Sequence, residues 1–543
     1  MVNATPCLVR LVYVENHDSF SRNVLEVLPV PPGDVLVVQG GTRQATRELA
    51  RADGVVVGPG PKDPRRAGLV EDTLRAVKRG TPLLGICLGH QAIGLALGAR
   101  LKRSPPAHGV VERCVFEPSR WMPGIRGALD VMRYHSLSLT HVRAPLRVVA
   151  SLLDGTVMAV EHETLPVLGL QFHPDSYATP SGRAMVDAFF RAVGLLRGSR
   201  RQMRTPKVAA VPRSLPATGR ARVVSLQDLE HTPEFALLGP GFTGRWTLLT
   251  PGRGGARVTF HPFEDGPPTV MSGALQPVRP RFVADPPAPH VQFDGDGFLR
   301  AVGKVRAGIA AGDVYQVNVT RPATVTCKTG SQLLSRLCRT RVPRFAAWVR
   351  TRDMELVSAS PEMLFDCSGP TIRVEPMKGT APAGARQQLL ASTKDQAELA
   401  MITDLLRDDL FGLCVPGSVA VLRKRLLLEL PYVVQAVSRV AGVLRPGVTA
   451  DDVVRHLHPG GSVTGAPRPA ALEFIARLED GPRGAYCGTL GVVAGGFARY
   501  ALLIRTAFRH APGAWTYGVG AGITWNSVAA TELEELRMKL RAL

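Results

Sequence analysis

Apolar residues alternate between short continuous runs and longer amphipathic stretches through the first 196 residues. Runs at 11–14, 35–38 and 55–57 are typical of buried strands, whereas 69–78 and 182–196 repeat apolar positions at the spacing of a helix. Strands that alternate with helices in this way predict an α/β domain with a largely parallel sheet.

The alternation stops after residue 196. Residues 197–220 are basic, punctuated by prolines and without periodicity, which indicates a linker between domains. Beyond them, strand-like runs such as 346–350 mix with long helical patterns such as 394–410. The patterns predict one domain at 1–196, a linker at 197–220 and a second domain at 221–543, and 543 residues are too many for one core.

Composition narrows the class of protein. Hydrophobic residues make up 45% of the chain, yet no uninterrupted apolar segment approaches the about 20 residues of a membrane span. The N-terminus lacks the basic and apolar regions of a signal peptide, and eight scattered cysteines without a CxxC pair indicate neither a disulfide framework nor a zinc site. We therefore expect a cytoplasmic globular protein with no membrane partner.

The net charge of +21 is strongly basic. Basic residues are spread along the chain and only 6% of residues are aromatic, so the charge favours a solvated, arginine-rich surface over a nucleic-acid partner. A positive field would also attract a dianionic substrate.

One cysteine has the surroundings of a catalytic nucleophile. Cys87 stands between an apolar run and a helical pattern, in the sequence Gly-Ile-Cys-Leu-Gly-His-Gln at 85–91. A strand, a tight glycine turn and a helix form a nucleophile elbow, where the helix N-terminus stabilises the thiolate. A base and an orienting carboxylate follow a second apolar run, at His173 and Asp175. These side chains fit catalysis through a thioester, although a lone buried cysteine is more often structural.

These motifs resemble those of class I glutamine amidotransferases, over residues 9–196. Asn-His-Asp-Ser-Phe at 16–20 and Gly-Pro-Gly-Pro at 58–61 are similar to that family's signatures. The resemblance implies a flavodoxin-like parallel sheet and glutamine as a substrate. It further implies that the backbone N–H groups of Gly60 and Leu88 stabilise an oxyanion. The glutamine would be held by Gln91, Ser136 and Leu137.

Two positions depart from that family's pattern. Lys62 stands where glycine is usual after the oxyanion loop, and Asp175 stands where the acid is usually glutamate. Either change could reduce the rate, but neither removes a catalytic atom type.

The second domain carries an ordered set of motifs that resembles the chorismate-utilising enzymes. The resemblance implies an α+β sandwich and chorismate as a substrate. The motifs include Gly-Asp-Val-Tyr-Gln-Val-Asn at 312–318, Ser-Pro-Glu at 360–362, Pro-Met-Lys-Gly-Thr at 376–380, the helical run at 398–409, the glycine-rich run at 459–467 and Gly-Ala-Gly at 520–522. Any one motif would be weak evidence, whereas their common order is specific.

The resemblance assigns roles to the matching residues. Glu398 and Glu535 correspond to ligands of Mg²⁺, which would hold a substrate carboxylate and assist departure of the hydroxyl. Contacts with chorismate are implied for the side chains of Tyr486 and Arg505 and for the backbone of Gly379, Thr380, Gly520, Ala521 and Gly522.

Lys378 distinguishes the branches of this family. Anthranilate synthases usually have alanine at this position, whereas aminodeoxychorismate synthases have a lysine that attacks the chorismate ring. Glu362 matches the acid/base that protonates the departing hydroxyl. Gln435 replaces a histidine linked to pyruvate elimination in the anthranilate branch, which argues further against anthranilate as the product.

Further departures concern the surroundings of the second site. Ala381 and Ala383 replace arginines that often follow the Gly-Thr pair, and Arg499 falls near a position where aspartate is common. The segment before Gly312 is short for the family, so an amino-acid feedback pocket would be reduced or missing.

Taken together, the motifs resemble a fused aminodeoxychorismate synthase with the glutaminase domain first. The implied reaction is hydrolysis of glutamine, internal transfer of ammonia and amination of chorismate to 4-amino-4-deoxychorismate. Anthranilate synthase, 2-amino-2-deoxyisochorismate synthase and a non-catalytic scaffold are the alternatives, and the intact Cys87, His173 and Asp175 count against the scaffold. Whether the product serves 4-aminobenzoate and folate or an aminophenyl natural product stays open, as does a separate aminodeoxychorismate lyase downstream.

Overall fold

The computed structural model describes residues 9–196, 224–227, 234–237, 257–264, 269–272, 274–276 and most of 288–543. Within the last range it omits 340–342, 351–353, 383, 430–432, 495, 511–513 and 542. The predicted linker at 197–220 lies outside the described residues.

A nine-stranded sheet organises the first domain. Its parallel half consists, in spatial order, of β2 (Val35–Gln39), β1 (Leu11–Glu15), β3 (Gly54–Val57), β4 (Leu83–Ile86) and β9 (Val167–Leu170). Its antiparallel half continues with β8 (Val157–His162), β7 (Leu146–Ser151), β5 (Arg100–Phe116) and β6 (Gly127–Thr140). The predicted α/β class is confirmed. Parallel pairing is confined to β1, β2, β3, β4 and β9, and most helices of the domain lie in the connections between these strands.

The helices of this domain cover the two faces of the sheet. They are α1 (Ser21–Val27), α2 (Arg43–Leu49), α3 (Leu69–Lys78), α4 (Leu88–Ala96) and α5 (Gly182–Ala192). The last helix is shorter than the predicted 182–196. It ends early because Gly194 has a φ of 75° and its N–H bonds to the Arg191 carbonyl, a left-handed turn that closes the helix.

Two antiparallel sheets form the second domain. The first contains β14 (Ala274–Gln276), β10 (Val224–Gln227), β11 (Glu234–Leu237), β17 (Phe345–Arg350), β18 (Met354–Ser360), β27 (Thr506–His510), β28 (Trp515–Ile523), β16 (Gln316–Thr326) and β15 (His290–Phe293), with β24 (Gly465–Ala466) beside β16. The second contains β13 (Thr269–Ser272), β12 (Arg257–His261), β25 (Thr489–Ala494), β26 (Phe497–Leu502), β19 (Met363–Ser368), β20 (Thr371–Val374), β23 (Val433–Val443) and β21 (Met377–Pro382), with β22 (Ala420–Glu429) beside β23.

Eight described helices accompany these sheets. They are α6 (Gly295–Ala311), α7 (Gly330–Leu337), α8 (Arg386–Ala391), α9 (Thr393–Phe411), α10 (Ala450–Leu457), α11 (Gly461–Thr464), α12 (Arg468–Leu478) and α13 (Ala529–Leu540). One hydrophobic core joins both sheets, since residues such as Val317 and Phe365 belong to the same buried cluster. The expected α+β sandwich is confirmed.

The core of the second domain extends into the first. Phe20, Met132 and Tyr134 of the first domain belong to the same buried cluster as the strands of the second. Helix α9 packs on β21 and β23 within its own domain and on β5 and α1 of the first domain. Helix α9 therefore lies at the boundary and contacts both domains.

Within the described parts of the chain, no helix is long and apolar enough to cross a membrane.

Gly109 on β5 lies directly against the backbone of helix α9. Its φ is 76°, and a Cβ at this position would overlap the carbonyl oxygen of Ala397. Only glycine fits here, because the backbone of residue 109 is left-handed and the Ala397 carbonyl belongs to the helix backbone, which cannot move away as a side chain could.

We predict that Gly109→Ala lowers the melting temperature more than Gly155→Ala does. Gly155 has a φ of 79°, and no atom lies within 4 Å of the position that a Cβ would take. Gly155→Ala therefore measures only the cost of placing alanine in a left-handed conformation, roughly 1–2 kcal/mol. Thermal unfolding followed by circular dichroism measures both variants. Equal decreases in the melting temperatures of Gly109→Ala and Gly155→Ala would show that the contact between residue 109 and Ala397 is not tight.

Candidate active sites

Cys87 lies at the turn between β4 and α4, as the sequence predicts. Its φ is 51° and its ψ −98°, a conformation that side chains rarely adopt. A Cβ on Gly85 would lie 2.5 Å from the Gly89 carbonyl oxygen, and one on Gly89 would overlap the Val57 carbonyl. The two glycines therefore allow the tight turn that presents Cys87 at the start of helix α4.

His173 and Asp175, the predicted base and orienting acid, lie next to each other. The His173 Nδ1 lies 3.3 Å from the Asp175 Oδ1, and both residues are buried. Burial acts to lower the pKa of His173, but the Asp175 carboxylate and the Cys87 thiol raise it well above its usual value. The imidazole is thus suited to accept the proton of the Cys87 thiol.

A chain of amides extends from Cys87 towards the predicted glutamine contacts. Gln171 Nε2 lies 3.6 Å from Cys87 Sγ, and its Oε1 accepts a hydrogen bond of 3.2 Å from Gln91 Nε2. Gln91 Nε2 also donates to the Leu137 carbonyl at 3.1 Å. The structure thus brings Gln91 and Leu137 into the neighbourhood of Cys87. Gln171 was not among the predicted residues, although it stands two positions before His173.

The predicted oxyanion donors are also neighbours. A Cβ on Gly60 would lie 3.0 Å from Leu88 Cδ2 and 2.7 Å from Asn16 Cβ, so this backbone passes directly beside the residue after Cys87. Lys62, where glycine is usual, has a φ of 75°. Its N–H donates to the Gly312 carbonyl at 2.7 Å, which ties this loop to the second domain.

Ser136 faces the second domain. Its hydroxyl donates to the Ile309 carbonyl at 2.7 Å and lies 2.9 Å from His108 Nε2. The Ser136 hydroxyl is therefore hydrogen-bonded across the boundary between the two domains. Its role in holding glutamine stays a prediction.

Lys378 and Glu362 both contact Ser462 in the second domain. The Lys378 Nζ donates to the Ser462 carbonyl at 3.3 Å, and the Ser462 hydroxyl donates to Glu362 Oε1 at 2.7 Å. Burial raises the pKa of Glu362, and the bond from Ser462 and the charge of Lys378 only partly oppose it. A carboxyl that holds its proton more tightly than usual suits proton donation.

Glu398 lies next to Lys378 on the buried face of α9. Its carboxylate is 3.8 Å from Lys378 Nζ and 3.7 Å from Lys394 Nζ. Burial raises the pKa of Glu398 to about 7 against the lowering effect of the two lysines. Glu398 is therefore a buried carboxyl group whose negative charge Lys378 and Lys394 compensate in part.

Helix α13 brings two more carboxylates to the same region. Glu532 is buried and forms an ion pair with Lys394, but its Oε2 is enclosed and has no hydrogen-bond partner among the described residues. Glu535 is about half exposed and lies 2.8 Å from Lys539 Nζ. Among the described residues, no three His, Cys, Asp or Glu side chains are arranged to enclose a metal. The orphaned oxygen of Glu532 nevertheless fits a cation here, because Mg²⁺ needs few protein ligands and keeps several waters.

Tyr486 and the glycine turn at 520–522 lie beside this region. A Cβ on Gly520 would lie 3.3 Å from Tyr486 Oη, and Lys539 Nζ donates to the Gly520 carbonyl at 2.7 Å. Gly522 lies next to Lys378 and Glu398, and between it and Gly520 the predicted Ala521 is buried.

Two predicted residues, Gly379 and Arg505, have a left-handed backbone conformation. Gly379 has a φ of 80° and lies on β21 beside Thr380, whose backbone pairs with Gln435. Arg505 is exposed, with a φ of 50°.

Sequence reasoning missed Lys394 and Glu532. Lys394 stands four residues before Glu398 on one helix, and Glu532 stands three before Glu535 on another. Residues at these spacings share a helix face, so the pattern would have revealed both.

Two family profiles match the chain. One, described as glutamine amidotransferase class-I, matches residues 12–193. The other, described as chorismate binding enzyme, matches residues 268–543, which is just over half of the chain.

Similar proteins cover nearly the whole chain. Aminodeoxychorismate synthases from Streptomyces pristinaespiralis and Streptomyces griseus are each 28% identical to it over 98% of its length, and the alignments cover 96% and 95% of those proteins. The first alignment spans 692 positions, more than the 543 residues of this chain, so that relative contains segments that are missing here.

A solved structure shares the fold. Anthranilate synthase component I from Streptococcus pneumoniae matches with a TM-score of 0.50 and 20% identity, over 64% of this chain and 95% of that one.

Proposed function

The chain belongs to the chorismate-binding enzyme family, and we propose that it uses ammonia from glutamine to convert chorismate into 4-amino-4-deoxychorismate. The observation that carries this proposal is the position of Lys378 between Glu398 and the Ser462–Glu362 pair. The two Streptomyces relatives that match nearly end to end bear the name aminodeoxychorismate synthase. The product would serve 4-aminobenzoate and folate synthesis or an aminophenyl natural product.

The first half-reaction hydrolyses glutamine at Cys87. Its thiol passes a proton to His173, and the thiolate attacks the side-chain amide carbon of glutamine. Backbone N–H groups of Gly60 and Leu88 stabilise the oxyanion. Collapse of this intermediate releases ammonia, since His173 returns the proton to the departing nitrogen, and water then hydrolyses the thioester to glutamate. The short separation of His173 and Asp175 supports these roles.

The second half-reaction replaces the hydroxyl of chorismate. The amine nitrogen of Lys378 attacks the ring while Glu362 protonates the hydroxyl, which leaves as water. Ammonia then forms the new C–N bond at the 4-position, and the electron pair of the C–N bond to lysine returns to Lys378. The new ammonium nitrogen passes one proton to the Glu362 carboxylate, which restores the acid. No pyruvate is released in this sequence, which separates it from the anthranilate reaction.

Mg²⁺ completes the proposed second site. Glu398 and Glu535 would hold it, and Glu532 Oε2 is an enclosed oxygen that has no partner in the part of the chain that the structure describes. When bound, the ion would neutralise a substrate carboxylate and assist departure of the hydroxyl. Tyr486, Arg505 and the glycine turn at 520–522 would hold the rest of chorismate.

The product of the wild-type protein tests the proposed function. With chorismate, glutamine and Mg²⁺, we expect 4-amino-4-deoxychorismate, identified by mass and ultraviolet spectrum, and no pyruvate. Lys378→Ala should reduce its formation by about 10²-fold or more, because the nucleophile is gone. Lys378→Arg keeps the charge without the nucleophilic amine, so it should be equally impaired. Anthranilate with stoichiometric pyruvate from the wild type would contradict the proposal.

Cys87→Ala separates the two sites. We expect glutamine-supported amination to fall by about 10³-fold or more, because the triad loses its nucleophile. Ammonium salts should still support amination, since Cys87 belongs to the first domain and the proposed amination in the second domain does not use it. The measurement is the initial rate with each nitrogen source. Loss of the ammonium-supported rate in a folded variant would contradict the two-site scheme.

Glu398→Gln and Glu535→Gln test the metal site. Each should weaken Mg²⁺ activation of chorismate turnover by about 10- to 100-fold or more, since even outer partners of metal ligands have effects of that size. Glutamate release should persist. Glu534→Gln is the matched control, because Glu534 lies next to Glu535 but pairs with Arg537 and Arg541. Unchanged Mg²⁺ titrations in both site variants would remove these residues from the metal site.

A further inference from the structure

Lys394 connects the two helices that carry the proposed metal ligands. Its ammonium pairs with Glu532 Oε1 on α13, and it lies 3.7 Å from Glu398 Oε1 on its own helix, α9. Both of these glutamates are buried. One ammonium group therefore compensates the charges of carboxylates from both helices, in the region that the proposed metal site occupies.

The two oxygens of Glu398 face different lysines. Oε1 is the oxygen near Lys394, whereas Oε2 lies 3.8 Å from Lys378 Nζ. Lys378 is also held by the Ser462 carbonyl, and its side chain is 13% exposed against 30% for Lys394. A lysine has a flexible stem that can carry its charge into water. Lys394 is therefore the cation that can leave these carboxylates most easily.

A metal at this site needs the oxygens that Lys394 holds. Mg²⁺ binds carboxylate oxygens at about 2.0–2.1 Å, so a metal on Glu398 or Glu532 would lie within a few Å of an ammonium that pairs with the same groups. Two cations repel each other strongly at such a separation when they are shielded from water. Glu532 Oε2, which is enclosed and unpaired among the described residues, shows that one ammonium does not use all the acceptors of the site.

We propose that Lys394 competes with Mg²⁺ for the carboxylates of Glu398 and Glu532 and so sets the Mg²⁺ concentration at which the second site fills. Binding of the metal then requires the ammonium to withdraw towards water. This inference rests on the proposed function, from which it takes the Mg²⁺ ion held by Glu398 and Glu535. Lys394 is in it a positioning residue, which acts through the carboxylates that it joins.

Lys394→Met tests the competition, because it keeps much of the stem and removes the charge. We expect the dissociation constant for Mg²⁺ to fall about tenfold or more, since no cation has to be displaced. Isothermal titration calorimetry on the full chain, without chorismate, measures this constant. Lys394→Arg keeps the charge and should bind Mg²⁺ as weakly as the wild type. Lys304→Met changes an exposed lysine on α6 and should leave the constant unchanged.

Thermal unfolding of the same variants separates competition from a purely structural role. After treatment with EDTA, Lys394→Met should melt below the wild type, because two buried carboxylates lose the cation that they share. Mg²⁺ should then raise its melting temperature more than that of the wild type, since tighter binding stabilises the folded state more. A residue that only supports the fold would lower the melting temperature equally with and without Mg²⁺. Lys394→Gln should show the same gain in affinity and replaces Lys394→Met in the titration if the methionine variant does not fold.

The outcomes separate this inference from the proposed function. If neither the wild type nor the Lys394 variants bind Mg²⁺, the proposed metal site fails and the inference fails with it, whereas the amination of chorismate is decided by the product assay. If the wild type binds Mg²⁺ and Lys394→Met binds it no more tightly, the inference alone fails. Weaker binding by Lys394→Met would also overturn it, because the ammonium would then assist the metal.

Discussion

One buried carboxylate fixes the position of the two candidate sites relative to each other. Asp404 on α9 accepts hydrogen bonds from the hydroxyls of Tyr134 at 2.9 Å and Ser176 at 2.5 Å and pairs with Arg407 at 2.5 Å. Because a buried charge is costly unless it is compensated, these donors must stay in place. Ser176 directly follows Asp175, so the Asp404 carboxylate of the second domain holds the turn that carries the predicted orienting acid.

Helix α9 carries this constraint into the second site. Glu398 stands six residues before Asp404, which is about 9 Å along a helix. Further polar contacts anchor the helix to the first domain, since Asp408 accepts from the backbone of Arg22 and Asn23 at 2.6 and 3.0 Å. A displacement of α9 at one site is therefore a displacement at the other. A fixed distance between the sites is what direct transfer of a small reactant requires, because a variable gap would admit water and lose ammonia.

Local patterns predicted the elements well. The helix at 69–78 agrees with Leu69–Lys78, because its periodicity and its acidic first and basic last turns all lie within the segment. The turn at Cys87 was predictable for the same reason, since its glycines lie within three residues of it. The end of α5 was misjudged because a left-handed Gly194 outweighed the apolar pattern that continues to 196.

Contacts between the domains could not be predicted from the sequence. The bond from Ser136 to Ile309 and the approach of Gly109 to Ala397 join residues far apart in the chain, and no local pattern marks either partner. The amide of Gln316 lies within a recognised motif, but only the structure shows that it is buried and unpaired among the residues described. The residue types of the two sites were therefore predictable, whereas the connection between them was not.

The central claim is that ammonia passes from Cys87 to chorismate inside the molecule. The most direct test supplies amide-¹⁵N glutamine together with an excess of unlabelled ammonium and measures the isotope in the aminated product by mass spectrometry. The account predicts that most of the product carries ¹⁵N despite the excess. Product labelled only in proportion to the mixed ammonia pool in solution would contradict it.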